Sequence, residues 1–513
     1  MPLERDEGEY AYAGQLILQG IPPYELAYNM KLPGTYFADA LGMALFGQTV
    51  AGIHLTLIVA NSLTIIFVFL LARKLFDVTA GLVACASYAV MSVSPAVLGM
   101  AAHANHFVVL FAVPATLLLW MGIGSGARRT LFFSGLLFGL AFLMKQQGLF
   151  FGVFGAAFLI LKKAQNGNTI GLLKDVFAFG TAMFLPFVLV CLMLELTGAF
   201  HEFWFWTFTY ARSYVVEESW TDGVRNLAGY LRDTSHVYVG FWFLTLAGLL
   251  LPLRDRGIRT PFLFAVLFLA FSFLAVATGL YFRRHYFILL LPAISIFTGL
   301  AVSGLKKALR PLPAICGARL APPVLFAAIL GWSIFFQRDF FFFMSDSQVC
   351  GTIYHGFPFV ESMAVSQYIQ AHSPADARIA VVGSEPEIYF YSRRHSATGY
   401  IYTYALMEPQ PAAMTMQREM MSEIESNKPE YLVWVGSDNS WLVRPTSDRE
   451  IFDWFGAYAG EFYEKVGIAG TNLAGDTVYL WDAAARNFQG PLGQNLVIYR
   501  RIPPSETAPS KTD

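Results

Sequence analysis

The chain has 513 residues, of which 56% are hydrophobic and 14% charged, with a formal net charge of −1. Soluble domains carry about 25% charged residues, so this composition cannot cover a soluble surface, and it offers no basic face for nucleic acid. The 4 cysteines show no CxxC or Cys/His spacing, which points to neither a disulfide framework nor a zinc site.

The opening stretch "RDEGEYAYAGQLIL" follows Glu4 and holds Asp6, Glu7 and Glu9, with neither the basic start nor the apolar run of a secretory signal. Tyr10, Ala13, Leu16 and Ile17 recur at helical spacing, so Asp6 and Glu7 open a helix. A helix N-terminus orients a carboxylate and favours its ionised form. Two readings stand at this point. The acids cap and solvate a surface helix, or one of them is a general base for an acceptor hydroxyl. Next, "NMKLPGTYFADALGMALFG" sets Lys31 before a Pro-Gly turn and an interfacial amphipathic helix. Lys31 is there either as a snorkelling lysine or as a compact cation for phosphate.

About ten candidate spans come next, at 54–72, 79–98, 107–123, 131–144, 149–161, 176–196, 237–253, 262–282, 286–305 and 320–336. The stretch 149–161 is short and predicts a tight hairpin with its predecessor. Alternate connections carry Arg73/Lys74, Arg128/Arg129, Lys162/Lys163/Lys174, Arg254/Arg256/Arg259 and Lys306/Lys307/Arg310/Arg319. The positive-inside rule puts these in the cytoplasm, and so places the acidic N-terminus and the C-terminal region outside. The same outward face gathers His103, Asn105, His106, Lys145, Arg283, His285 and Tyr286, together with an aromatic loop at 197–236 that contains Arg212. Ionisable groups at span ends mark either a site or a headgroup contact. His103 and His106 are weak metal candidates, three residues apart with no acid beside them, and nothing else in the sequence supports a divalent metal.

Beyond 336 the strand-like "RIAVVGS", "EYLVWVGS", "TVYLWDA" and "NLVIYRR" alternate with helical "FVESMAVSQYIQAH", "PAAMTMQREMMSEIES" and "DREIFDWFGAYAGEFYEK". That pattern predicts a small soluble α/β domain. The expected division is 1–53 as an extracytoplasmic loop with juxtamembrane helices and 54–340 as the membrane domain. The α/β domain follows at 341–502, and 503–513 is a disordered tail.

Taken in order, the outside "DE", "KLPGTY", "HANHF", "FLMKQQG" and "RHYFILLLPA" resemble the GT-C superfamily of membrane glycosyltransferases. The likeness is to the group of protein O-mannosyltransferases and the bacterial lipid A aminoarabinose transferase. The stretch "GSEPEIYFYSRRHSATGYIYTY" is similar to that of bacterial members with a C-terminal α/β domain. The resemblance implies a polytopic α-helical fold in the bacterial inner membrane, with the active site and C-terminal domain periplasmic. It implies inverting transfer of a sugar from a polyprenyl-phosphate donor to a glycan, lipid or protein acceptor, with the lipid-linked donor in place of a bound cofactor. Asp6 corresponds to the catalytic base, Glu7 orients it or contacts substrate, and Lys31 contacts the phosphate. Tyr10, Lys145, Arg212, Arg283, His285 and Tyr286 are further candidates for substrate or lipid phosphate. Relatives often carry a second acid where this chain has Asn105, and a transmembrane helix before the acidic pair; the expectation is therefore that a helix precedes this start. Two rival readings are a lipid-linked-sugar transporter or flippase and an inactive glycan-binding relative. A transporter predicts ionisable groups inside the spans and inverted repeats, whereas these span interiors are almost free of charge.

Overall fold

The computed structural model describes residues 1–164, 168–215, 217–250, 258–309, 320–472 and 477–503. Arg254, Arg256, Arg310, Arg319, Cys316 and the tail from 504 lie outside the described residues. The chain forms two compact units, one of Met1–Asn29 with Ser345–Asp513 and the other of Met30–Met344.

Helix α1 (Arg5–Leu18) belongs to the first unit. The second begins with α2 (Gly34–Phe46), α3 (Val50–Leu75), α4 (Val78–Ser92), α5 (Ala104–Ser125), α6 (Arg128–Met144), α7 (Leu149–Ala164) and α8 (Thr169–Leu196). It continues with helices Trp220–Leu250, Arg259–Ala277, Leu291–Ala308 and Ala321–Phe336. Each of the ten predicted spans holds a helix among the described residues, and among those residues five helices are long and apolar enough to cross a membrane. The predicted hairpin is present, with α6 and α7 joined by the single 3-10 turn Gln146–Gly148. The expected loop 197–236 is in part helical, because Trp220–Leu250 starts well before its apolar half. Its first turns carry Asp222, Arg225, Arg232 and Asp233, with Arg225 and Asp222 paired at 2.7 Å, so hydropathy alone does not see them.

Close helix approach in this unit depends on small residues. A Cβ added at Gly135 or Gly139 of α6 would collide with the backbone oxygens of Phe179 and Met183 in α8. That is the four-residue small-residue spacing by which membrane helices pack backbone to backbone. The basic ends are tied by ions: Lys307 pairs with Asp77 at 2.8 Å, and Arg128 and Lys163 each reach Asp175 at 3.0 Å. These pairs join the start of α4 to the end of helix Leu291–Ala308, and the start of α6 to α7 and α8.

The first unit is built on a mixed sheet ordered β2-β1-β3-β6-β4-β5. Its strands are β1 (Arg378–Val382), β2 (His395–Ser396), β3 (Tyr431–Gly436), β4 (Tyr463–Thr471), β5 (Thr477–Trp481) and β6 (Asn495–Arg501). β1 runs parallel to β2 and β3, while β6 is antiparallel to both β3 and β4. Two differences from the sequence expectation stand out. The helix predicted through "GEFYEK" ends at Phe462, and Tyr463 starts β4. Gly467 and Gly470 weaken the strand pattern of β4, yet the ring of Trp481 and the side chain of Asn495 fill the space their missing side chains leave. The other difference is that residues 1–29, expected to extend to 53 as a membrane-side loop, fold into this unit. Arg5, Tyr12 and Gln15 of α1 bond to residues between 384 and 439.

Candidate functional site

The acidic candidates sit on the first turn of α1. Glu4 is the N-cap: its Oε1 accepts from the Glu7 N–H at 2.9 Å, and Glu7 Oε2 accepts from the Glu4 N–H at 3.3 Å. This reciprocal capping box satisfies two amides that a helix end would leave without partners. Burial, followed by the nearby Asp6 and Glu7 carboxylates, pushes the Glu4 carboxyl well above the usual range. Glu7 and Tyr10 are buried, whereas Asp6 is half-buried. The cap therefore occupies Glu4 and Glu7, and Asp6 is the half-buried acid of this turn.

Arg5 precedes Asp6 and is buried. Its Nη2 donates to Glu385 Oε1 at 2.8 Å, its Nη1 to the Asn439 carbonyl at 3.1 Å, and its remaining donors to the Ser384 carbonyl and the Tyr404 hydroxyl. The rings of Phe357 and Tyr404 lie 4.8 and 5.0 Å from the guanidinium carbon, so the cation is held by faces as well as acceptors. Further along α1, the Ser396 N–H donates to the Tyr12 hydroxyl at 2.8 Å, and the Tyr12 ring stacks on Tyr389 at 5.0 Å. Gln15 donates to the Phe390 carbonyl at 3.3 Å. The quoted stretches "RDEGEY" and "GSEPEIYFY" are thus partners. Arg5, Ser384, Glu385 and Glu387 were not among the predicted site residues; the charges of Arg5, Glu385 and Glu387 within the two quoted stretches are their sequence signal.

The cationic candidates belong to the membrane unit. Gln146 Nε2 donates to the Met30 carbonyl at 2.6 Å and Thr35 Oγ1 to the Met144 carbonyl at 3.0 Å. These bonds clamp the Lys31 turn onto the turn that carries Lys145. Lys145 Nζ donates to Asn105 Oδ1 at 3.1 Å and lies 4.4 Å from the centre of the Tyr286 ring. Asn105 donates in turn to Gln147 Oε1 at 3.4 Å, and Gln147 to the Ala275 carbonyl at 2.8 Å. His285 stacks on His103 at 4.3 Å and meets Tyr286 edge-on at 4.8 Å. Lys145, Asn105, His103, His285 and Tyr286 therefore form one cluster at the start of α5 and the turn after α6. Gln147 links this cluster to helix Arg259–Ala277, a role the sequence did not suggest.

Two predicted residues take other positions. Arg283 Nη2 donates to the Tyr214 hydroxyl at 3.1 Å, with the Tyr281 ring 5.2 Å away. Arg212 is exposed on the short helix Ala211–Val215, and its side chain makes no ion pair or hydrogen bond among the described residues. His103 and His106, the weak metal candidates, are buried at the start of α5, where the backbone N–H of His106 donates to the His103 carbonyl at 3.0 Å.

The model of the dolichyl-phosphate-mannose-protein mannosyltransferase family matches residues 31–218, which takes in Lys31, Asn105 and Lys145 and starts after α1. The chain is 28% identical over 256 residues to the undecaprenyl phosphate-α-4-amino-4-deoxy-L-arabinose arabinosyl transferase of Pseudomonas aeruginosa. That alignment covers 47% of this chain and 42% of the relative, so the chain spans less than half the length of the curated relatives it matches. Solved structures overlap far more. ArnT from Cupriavidus metallidurans bound to undecaprenyl phosphate superposes with a TM-score of 0.61 at 13% identity, over 97% of this chain and 94% of that one. The Archaeoglobus fulgidus oligosaccharyltransferase gives 0.54 at 15% identity, over 96% and 71%. The fold is that of the GT-C glycosyltransferases. With this fold and five apolar helices of spanning length among the described residues, the chain is an integral membrane protein.

Proposed function

We propose that this GT-C protein is an inverting glycosyltransferase that moves a sugar from a polyprenyl-phosphate carrier to an acceptor hydroxyl at the periplasmic face of the bacterial inner membrane. The observation that carries the reading is the match over nearly the whole chain to a structure bound to undecaprenyl phosphate, joined to a half-buried carboxylate on a helix N-terminus. In this reading Asp6 takes the proton from the acceptor hydroxyl as its oxygen attacks the anomeric carbon. The carrier phosphate leaves with the bonding pair. That leaving group is already stable as an anion, so the site supplies positive charge to it in place of a general acid.

Roles divide by unit. Asp6 is the base, with Glu7 holding its turn. Lys31 and the Lys145–His285–Tyr286 cluster bind the carrier phosphate, and Arg283 and Arg212 are peripheral cations for the anionic carrier. The acceptor is a glycan, a lipid or a protein, and no step in this reading requires a metal.

The test is a strain lacking the protein, complemented with the parent or with Asp6→Asn. The parent should restore the lipid-linked sugars and envelope glycans to the wild-type profile, and Asp6→Asn should not, at equal membrane abundance. Full restoration by Asp6→Asn would remove Asp6 as the base. An unchanged profile in the deletion strain would remove the function itself.

A further inference from the structure

We propose that Glu385 is a positioning residue for the Asp6 carboxylate, acting through Arg5. This inference rests on the reading of Asp6 as the base. It assigns a task to the α/β domain, which is to aim that base. Arg5 and Asp6 are adjacent, so their Cα atoms are about 3.8 Å apart and the aim of one backbone unit constrains the other.

The guanidinium of Arg5 is fixed in direction on every side. It donates to the Glu385 carboxylate, to the Ser384 and Asn439 carbonyls and to the Tyr404 hydroxyl, and it lies against the Phe357 ring. Glu385 is held just as fully. Its Oε2 accepts from the Ser384 N–H at 2.8 Å and from the Ser440 hydroxyl at 2.6 Å. Ser384 Oγ donates to the Ser440 carbonyl at 2.7 Å and pairs with Thr403 Oγ1 at 2.9 Å. The chain of contacts therefore runs from the buried end of β1 to the residue before Asp6 without a flexible link.

Holding the helix in place does not require this network. Tyr12, Gln15 and Gln19 already bond α1 to Ser396, Phe390 and His395 along its length. A buried ion pair adds little net stability over an apolar replacement of equal volume. Its concentration at Arg5, directly before Asp6, is explained by geometry. A base has to be held within about 0.5 Å and 10–20° of its productive position. A misplacement of about 1 Å costs on the order of a hundredfold in rate.

The experiment compares the full-length parent with Glu385→Gln, Arg5→Lys and Asp6→Asn in detergent micelles. One arm follows hydrogen exchange of the first-turn amides of α1 against those of β3. The other follows turnover of undecaprenyl phosphate-4-amino-4-deoxy-L-arabinose as the probe donor. Glu385→Gln should speed first-turn exchange about tenfold with β3 unchanged, and lower kcat about 10- to 100-fold with KM for the probe within about twofold. Arg5→Lys, which keeps the charge and loses the planar fork, should do the same. Ser440→Ala removes one donor to Glu385; if Glu385→Gln does not fold, it is read instead, with an expected drop of about 3- to 10-fold. First-turn exchange equal to the parent's overturns the proposal, and it decides alone where the parent does not turn over the probe. Parental kcat in Glu385→Gln beside an inactive Asp6→Asn also overturns it and leaves the base reading standing. An active Asp6→Asn overturns both.

Discussion

Arg5 Nη2 and Glu385 Oε1 lie 2.8 Å apart, although 380 residues separate them in the chain, and both side chains are buried. Each therefore depends on the other, because either charge alone would be left desolvated without a counter-ion. Removal of one partner of a buried pair costs about 3–5 kcal/mol, whereas replacement of both by apolar residues is often neutral. Arg5→Ala and Glu385→Ala should each lower the stability of the α/β unit by that amount, and Arg5→Met with Glu385→Leu by clearly less than either. Denaturant unfolding followed by tryptophan fluorescence measures it. Single variants within about 1 kcal/mol of the parent would show that the pair is not isolated from water.

Gly8 offers a test in which two effects have opposite signs. In a free helix Gly→Ala gains about 1 kcal/mol from propensity. Here a Cβ at Gly8 would meet the Glu387 backbone nitrogen at 2.6 Å and its Cα at 2.7 Å, contacts that backbone cannot yield to cheaply. Overpacking of this kind costs about 1–3 kcal/mol, so Gly8→Ala should come out destabilising and Gly8→Val more so. A thermal midpoint raised by Gly8→Ala would mean that α1 is free to lift away from Glu387.

Different parts of this architecture were visible in the sequence for different physical reasons. The helices at the predicted spans were legible because a span announces itself by local hydropathy. Lys145, His285 and Tyr286 were legible as cations and rings placed at span ends, a local signal too. The union of residues 1–29 with the C-terminal domain was not, because its cause lies in contacts such as Tyr12 with Ser396 and Tyr28 with Gly399, to which no periodicity points. Glu385 was quoted within "GSEPEIYFY" but given no role, since a single buried acid looks the same in sequence as a solvated one. β4 was hidden by its own glycines. Asp6 could be singled out at the start of a helix, while the capping task of Glu7 required the backbone geometry of that turn.

Glu387 makes stability depend on pH. Its Oε1 accepts from the Ser362 hydroxyl at 2.7 Å, whereas its buried Oε2 has no hydrogen-bond partner among the described residues. Burial first, and then the Glu385 carboxylate, push its pKa up from 4.5 to about 8, against the opposing effects of the Ser362 bond and Arg5. A carboxyl whose pKa is raised by folding binds its proton more tightly in the folded state. Its stabilising contribution is complete below the unfolded pKa and is lost as pH rises through the folded one. The α/β unit should therefore be more stable at pH 5 than at pH 9, with the change centred between 4.5 and about 8. Glu387→Gln, which cannot ionise, should flatten that slope. Thermal unfolding from pH 5 to 9 gives the answer, and an identical slope in parent and variant would assign the pH dependence elsewhere.

Lys145 has a neutral amide, Asn105, as one of its partners, at 3.1 Å. Unlike a carboxylate, an amide orients the ammonium without cancelling its charge for a phosphate ligand. Asn105→Asp would place a full negative charge at the same position. Two unit charges about 4 Å apart attract by roughly 4 kcal/mol at an effective dielectric of 20, before desolvation reduces the sum. Undecaprenyl phosphate should then bind about tenfold more weakly, which corresponds to about 1.4 kcal/mol. Lys145→Met should lose at least as much, and its binding should depend less on ionic strength, since one charge contact is gone. Titration of the purified protein with labelled undecaprenyl phosphate at two salt concentrations measures both effects. Asn105→Asp binding as tightly as the parent would remove Lys145 from the phosphate contacts. The Lys31→Met variant, measured beside it, then reports whether the cation of the preceding turn carries that role instead.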